Sequence, residues 1–273
     1  MTQQNTRIAF IGGGNMASAI IGGLLQQGLA AGQVTVVEPF AEARARLAQQ
    51  FGLQAQERAD AALSDAALVV WAVKPQTFRG AAAACRPFVQ QALHLSVAAG
   101  IRSDSIVEWL RTQRIVRSMP NTPALVGKGM TALYARPAVN DADKAWVEQV
   151  IATTGEHLWV AQEQQLDAVT ALSGSGPAYV FYFLEAMVEA GTEMGLPPEQ
   201  AKRLAVGTFA GAAELARASD DPLQTLRERV TSKGGTTYAA LTSLEQDQVK
   251  AAFIKALHAA CRRATELGDE FGK

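Results

Sequence analysis

The chain has 273 residues, 48% of them hydrophobic and 19% charged, and carries a formal net charge of -1. That balance excludes a disordered chain, and a near-neutral surface without a Lys/Arg cluster excludes the electrostatic footprint of a nucleic-acid binder. The length suggests two domains, and the two cysteines, Cys85 and Cys261, have no metal-ligand spacing.

Met1 to Thr6 are polar and run directly into a strand, so no secretory leader is expected. No apolar run reaches the ~20 residues a membrane span requires. A cytoplasmic protein with reduced thiols is the expectation.

The first 160 or so residues alternate β-rich runs with Ala- and Leu-rich helical stretches, which predicts a parallel sheet covered by helices. Strands are expected at 7–11, 34–37, 68–73, 93–97 and 115–117, with a later pair at 130–134 and 157–160 extending the sheet edge. The first strand runs into Gly12-Gly13-Gly14-Asn15-Met16-Ala17, a G-x-G-x-x-A pattern that opens a helix. This is the dinucleotide-binding fingerprint in its proper context. Gly12 allows the tight turn, Gly14 lets the backbone approach a pyrophosphate, and Ala17 keeps the helix close to the sheet. The helix N-terminus offers free N–H groups to the phosphates.

Glu38 ends the second strand, where an acidic residue hydrogen-bonds the adenosine ribose of NAD. Its charge would oppose the 2′-phosphate of NADPH, whereas Arg44 and Arg46 on the next helix would accommodate it. NADH and NADPH both stay open. Two later strand exits, Ala72-Val73-Lys74-Pro75 and Ala98-Ala99-Gly100, fall at the ligand edge of an open α/β sheet. Small residues there leave room for the nicotinamide ribose. Lys74 reads either as a ribose ligand or as a surface lysine. Met119-Pro120-Asn121-Thr122-Pro123 forms a stiff polar loop, and Asn121 is its candidate nicotinamide contact.

Beyond about residue 162 no strand is expected. Amphipathic helices at 179–194, 199–218 and 248–267 follow, with Pro198 and Pro222 marking helix starts. Ser173-Gly174-Ser175-Gly176-Pro177 precedes the first of them and reads equally as a cap or as a functional loop. Thr231-Ser232-Lys233-Gly234-Gly235-Thr236-Thr237 opens another helix. Its consecutive N–H groups can form an anion nest for a carboxylate or phosphate, or simply cap the helix. His94, His157 and His258 read as structural. No nucleophile–base pair, carboxylate pair or metal set emerges, and reduction of an iminium needs little beyond a positioned hydride donor.

Taken together, FIGGGNMA (10–17), AVKP (72–75), VAAG (97–100), MPNTPA (119–124), DAVTALSGSGPAY (167–179) and VTSKGGTT (230–237) resemble the 1-pyrroline-5-carboxylate reductase family in order and spacing. The resemblance implies a Rossmann-type α/β dinucleotide-binding domain, 1–162, followed by an all-α dimerisation and substrate-binding domain, 163–273. It implies reduction of 1-pyrroline-5-carboxylate to L-proline with NADPH or NADH. It also implies homodimers, which in many members assemble further into decamers, with the substrate near the dimer interface. By this resemblance Ser232, Gly235 and Thr236 bind the substrate carboxylate through backbone groups. The Thr237 hydroxyl holds the ring nitrogen as the catalytic residue, and Glu163 lines the substrate pocket. Two positions depart from the family: Lys233 replaces a usual proline, and Glu38 stands where many members carry a neutral residue.

Overall fold

The computed structural model describes residues 6–272; Met1–Asn5, read above as a polar lead-in, lie outside the described residues. The chain forms two compact units. Among the described residues, one comprises 6–175 together with 260–272, the other 176–259.

The first unit is built on a seven-stranded sheet of order β2-β1-β3-β4-β5-β6-β7. The strands are β1 (Arg7–Ile11), β2 (Val34–Val37), β3 (Ala66–Trp71), β4 (Leu93–Ser96), β5 (Ile115–Met119), β6 (Gly129–Ala135) and β7 (Gly155–Trp159). The first five run parallel, β6 runs antiparallel to β5, and β7 runs parallel to β6. The parallel sheet is thus extended at its far edge, as expected, and the added pair runs antiparallel to it. The link between β5 and β6 holds only a single 3-10 turn, Thr122–Val126, and a link without a crossover helix returns the chain antiparallel. β3 begins and ends two residues earlier than the apolar run suggested. Beyond Trp71 the chain bends so that Pro75 can occupy the first turn of helix α3 (Pro75–Cys85).

Helices α1 (Asn15–Gln26), α2 (Ala41–Phe51), α4 (Ser103–Leu110) and α5 (Asp141–Ala152) complete the layers. Alternate residues of the central strands enter opposite cores, which is why these strands read as continuous apolar runs. Ile8, Phe10, Leu68, Val70, Leu93 and Leu95 pack with α1, α2 and α5 on one face. Ala9, Ile11, Val69 and Trp71 pack with Phe78, Ile106 and Trp109 of α3 and α4 on the other.

The break between units falls after Ser175 rather than after residue 162. Helix α6 (Gln165–Val169) and a π-turn over Thr170–Gly174 bury Leu166 and Ala171 and belong with the sheet. The chain's last helix, α11 (Val249–Phe271), begins in the helical unit, and its last turns belong to the sheet-bearing one. There Leu267 packs over Gly100 and Arg102 pairs with Asp269.

The second unit holds α7 (Gly176–Glu193), α8 (Pro198–Arg217), α9 (Leu223–Arg229), α10 (Thr236–Gln246) and the start of α11. Close packing of α7 on α8 rests on Gly191, where a Cβ would lie 3.0 Å from that of Ala201. Among the described residues, no helix is long and apolar enough to cross a membrane.

Candidate active site

Gly12 follows β1 with φ +96, a conformation that favours glycine, and its N–H donates to Val37 O at 2.8 Å. A Cβ there would lie 2.5 Å from the Ala72 carbonyl, so the turn is closed to any other residue. The N–H of Gly13 donates to Glu38 Oε2 at 2.7 Å, and a Cβ on Gly13 would meet Leu47 at 2.6 Å. Gly14 is the N-cap of α1, and a Cβ there would meet nothing within 4 Å. The helix it opens, beginning Asn15-Met16-Ala17, has no side-chain cap and no acidic residue in its first turn, while Ala17 is fully buried against the sheet. Free N–H groups, a positive helix end and open space fit a diphosphate.

Glu38 is buried. Its Oε1 accepts the N–H of Phe40 at 2.9 Å while Oε2 holds Gly13, so the carboxylate braces the glycine turn itself. Arg44 donates to the carbonyls of Glu38 and Pro39, at 3.0 and 2.7 Å, and lies 3.7 Å from Glu57.

The register aligns Ile11, Trp71, Ser96 and Arg117 across β1, β3, β4 and β5, so the segments after these strands emerge along one sheet edge. Ala72, Val73, Lys74 and Pro75 emerge there, with Lys74 exposed and its carbonyl accepting Thr77 N–H. Ala98 is buried in the core beside α3 and α4, leaving Ala99 and Gly100 as the partly accessible residues of that exit. The Asn121 carboxamide is already engaged. Its Nδ2 donates to Ser173 O and Oγ at 3.2 and 3.3 Å, and its Oδ1 accepts Met130 N–H at 2.9 Å. It ties the loop after β5 to β6 and to the π-turn.

Glu163 is built into the sheet-bearing unit. Oε1 accepts Ser103 N–H and Arg117 Nη1, both at 2.6 Å, and Oε2 accepts the Ser103 hydroxyl. Arg136 reaches the same hydroxyl at 2.8 Å and also pairs with Asp104. Sequence reasoning missed Ser103, Arg117 and Arg136. The visible signal was a charge in the apolar strand Ile115–Met119.

The remaining predicted residues lie in the helical unit. Gly234 has φ +75, Gly235 N–H donates to Ser232 O at 3.0 Å, and Gly235 is the uncapped N-cap of α10. Ser232, Lys233 and Thr236 are exposed, Thr237 is half-buried, and neither threonine hydroxyl is engaged among the described residues. The turn therefore offers helix N–H groups and hydroxyls together.

His94 serves structure: it is buried and its Nδ1 accepts the indole N–H of Trp71 at 3.1 Å. Burial lowers its imidazole to about 4, so it is neutral at physiological pH.

A phosphate-ready glycine turn at the head of a sheet-bearing unit, with small residues at the neighbouring strand exits, defines a nucleotide-dependent oxidoreductase of Rossmann type. Residues 7–100 match the family described as NADP oxidoreductase coenzyme F420-dependent. Residues 163–267 match pyrroline-5-carboxylate reductase dimerisation. The chain is 44% identical over 269 residues to the pyrroline-5-carboxylate reductase of Pseudomonas aeruginosa, covering 98% of each. It is 34% identical over 261 residues to that of Pisum sativum, covering 95% of each. Among solved structures it is similar to a pyrroline-5-carboxylate reductase from Coxiella burnetii, with a TM-score of 0.89, 36% identity and coverage of 97% of this chain and 99% of that one. Plasmodium falciparum pyrroline carboxylate reductase with NADP bound gives a TM-score of 0.87 at 30% identity, again covering 97% and 99%. The chain belongs to the pyrroline-5-carboxylate reductase family.

Proposed function

We propose that this chain reduces 1-pyrroline-5-carboxylate to L-proline, the last step of proline biosynthesis, using NADPH or NADH. The observation that carries this reading is the intact second glycine turn: Ser232, Gly235 and Thr236 at an uncapped helix start, with the Thr237 hydroxyl unengaged beside them.

The residues that hold the coenzyme in this reading are Gly12, Gly14, Asn15, Met16 and Ala17 at the diphosphate. Glu38 serves the adenosine ribose through the lone pairs left over from Gly13 and Phe40. Ala72, Val73, Lys74, Pro75, Ala99, Gly100 and the Asn121 loop line the nicotinamide half, the loop chiefly through backbone, with Ala98 packed behind them. When bound, the reduced nicotinamide supplies a hydride. The substrate's protonated C=N carbon accepts that hydride, and the C=N π pair passes to nitrogen, leaving a secondary amine. Backbone groups of Ser232, Gly235 and Thr236 bind the ring carboxylate, and Thr237 steers the nitrogen. Orientation and exclusion of water do the rest of the catalysis, since the substrate is electrophilic without a metal or nucleophile.

Two chains pair through the helical unit as a homodimer, and sedimentation decides between that dimer and a decamer built from it. The enzyme works in the cytoplasm, consistent with two free thiols. The test follows loss of reduced-nicotinamide absorbance with pyrroline-5-carboxylate, supplying NADH and NADPH separately, and identifies proline chromatographically. Proline formed in step with coenzyme oxidation is expected, and no turnover with either coenzyme overturns the assignment.

A further inference from the structure

Glu163 holds more donors than a substrate ligand has reason to. Its carboxylate takes the backbone N–H of Ser103, the Ser103 hydroxyl and the Arg117 guanidinium. Arg117 is itself buried, its side chain only 8% exposed, so Glu163 is the partner that makes its charge tolerable there. Ser103 is the first residue of α4, whose N-cap Arg102 supplies no side-chain bond. The carboxylate therefore terminates α4 from 60 residues away in sequence, at the positive helix end where an anion is favoured.

What this cross-link fixes is the sheet's ligand edge. The 98–100 exit lies between two anchored points. At one end Ala98 N–H donates to Ser96 Oγ, and Ser118 Oγ donates to Ser96 O at 2.9 Å. At the other end Ser103 is held by Glu163. Arg117 stands two residues before Met119, where β5 ends and the Asn121 loop begins. One carboxylate thus ties together the chain leaving β4 and the chain leaving β5.

We propose that Glu163 is a positioning residue for the coenzyme, acting through Ser103 and Arg117, rather than a ligand of the imino acid. The proposal rests on the coenzyme reading above. Glu163→Gln keeps the shape and removes the charge. Ser103→Ala removes one hydroxyl, and is the gentler variant should Glu163→Gln fold poorly.

Titration of NADH and NADPH by their fluorescence, without imino acid, is expected to show Kd raised about tenfold in both variants. That size corresponds to losing the equivalent of about one hydrogen bond in coenzyme binding. The double variant should be no weaker than Glu163→Gln alone, because both act through one network. KM for pyrroline-5-carboxylate should stay within about twofold, the scatter expected where no direct contact is lost. An unchanged coenzyme Kd overturns the proposal. If KM for pyrroline-5-carboxylate rises in its place, Glu163 touches substrate; if melting temperature alone falls, the network serves stability only. A wild-type chain that binds coenzyme yet leaves pyrroline-5-carboxylate unreduced defeats the assigned reaction and leaves this test standing. One that binds neither coenzyme defeats both.

Discussion

The two units bury their apolar residues differently. The sheet-bearing unit encloses Trp71, Phe10, Phe78 and aliphatic strand residues such as Ile8, Leu68, Leu93 and Leu95 at or below 2% exposure. In the helical unit the residues buried to a comparable degree are small ones: Gly191, Ala201 and Ala205. Phe181, Tyr182, Leu204, Leu215 and Leu223 are each more than half exposed. The first unit holds a core of its own. The second leaves larger apolar side chains exposed, in a region that matches a pyrroline-5-carboxylate reductase dimerisation family.

That contrast can be broken most forcefully at Trp71. Truncation to alanine should cost about 3–5 kcal/mol of stability, read as a large drop in melting temperature, because the ring stacks on Phe78 inside a filled core. Acid tests the same core through His94. Its folded value of about 4 lies below the ordinary 6.5, so the unfolded chain takes up the proton first. Stability is whole above pH 6.5, falls as pH drops through that window and flattens below about 4, a loss on the order of 3 kcal/mol. Thermal melts across that range should show the slope in wild type and lose it in His94→Gln.

In the helical unit the effects move from stability to function. Thr237→Ala should lower kcat/KM by about 1–3 kcal/mol in transition-state terms with the melting temperature unchanged. Wild-type kinetics would remove Thr237 from the mechanism. Back in the sheet-bearing unit, Glu38→Ser takes away a buried negative charge beside the glycine turn. The NADPH-to-NADH ratio of kcat/KM should rise about tenfold, about 1.4 kcal/mol. The smallest change in intrinsic stability is expected for Tyr182→Glu, within about 0.5 kcal/mol, because the ring is 70% exposed in the single chain. Its signature belongs to sedimentation, as a shift towards smaller species.

Much of this was readable in the residues. Apolar runs marked all seven strands, Gly12 and Gly14 marked the tight turn from β1 into α1, and the Pro198 and Pro222 helix starts fell where expected. Periodicity reports which face of an element is apolar, and says nothing of what that face meets. Hence the reversed β6 and β7, the docking of 163–175 on the sheet and the return of α11 were not foreseen. The same limit applies to Glu163: its partners Ser103 and Arg117 lie 60 and 46 residues away, and only the fold brings them together. Asn121 is similar: a polar side chain in a stiff loop suggested a ligand, and its amide is spent on Ser173 and Met130.

The placement of aromatic rings has a practical use. All four tryptophans, at 71, 109, 146 and 159, fall in the sheet-bearing unit, whereas three of the four tyrosines, at 179, 182 and 238, fall in the helical one and Tyr134 lies in β6. Indole emission therefore reports on one half of the molecule alone, with Trp71 as its most enclosed fluorophore. The intact enzyme is in this sense already labelled, and heating it while watching indole emission reads out the sheet-bearing half without cutting the chain.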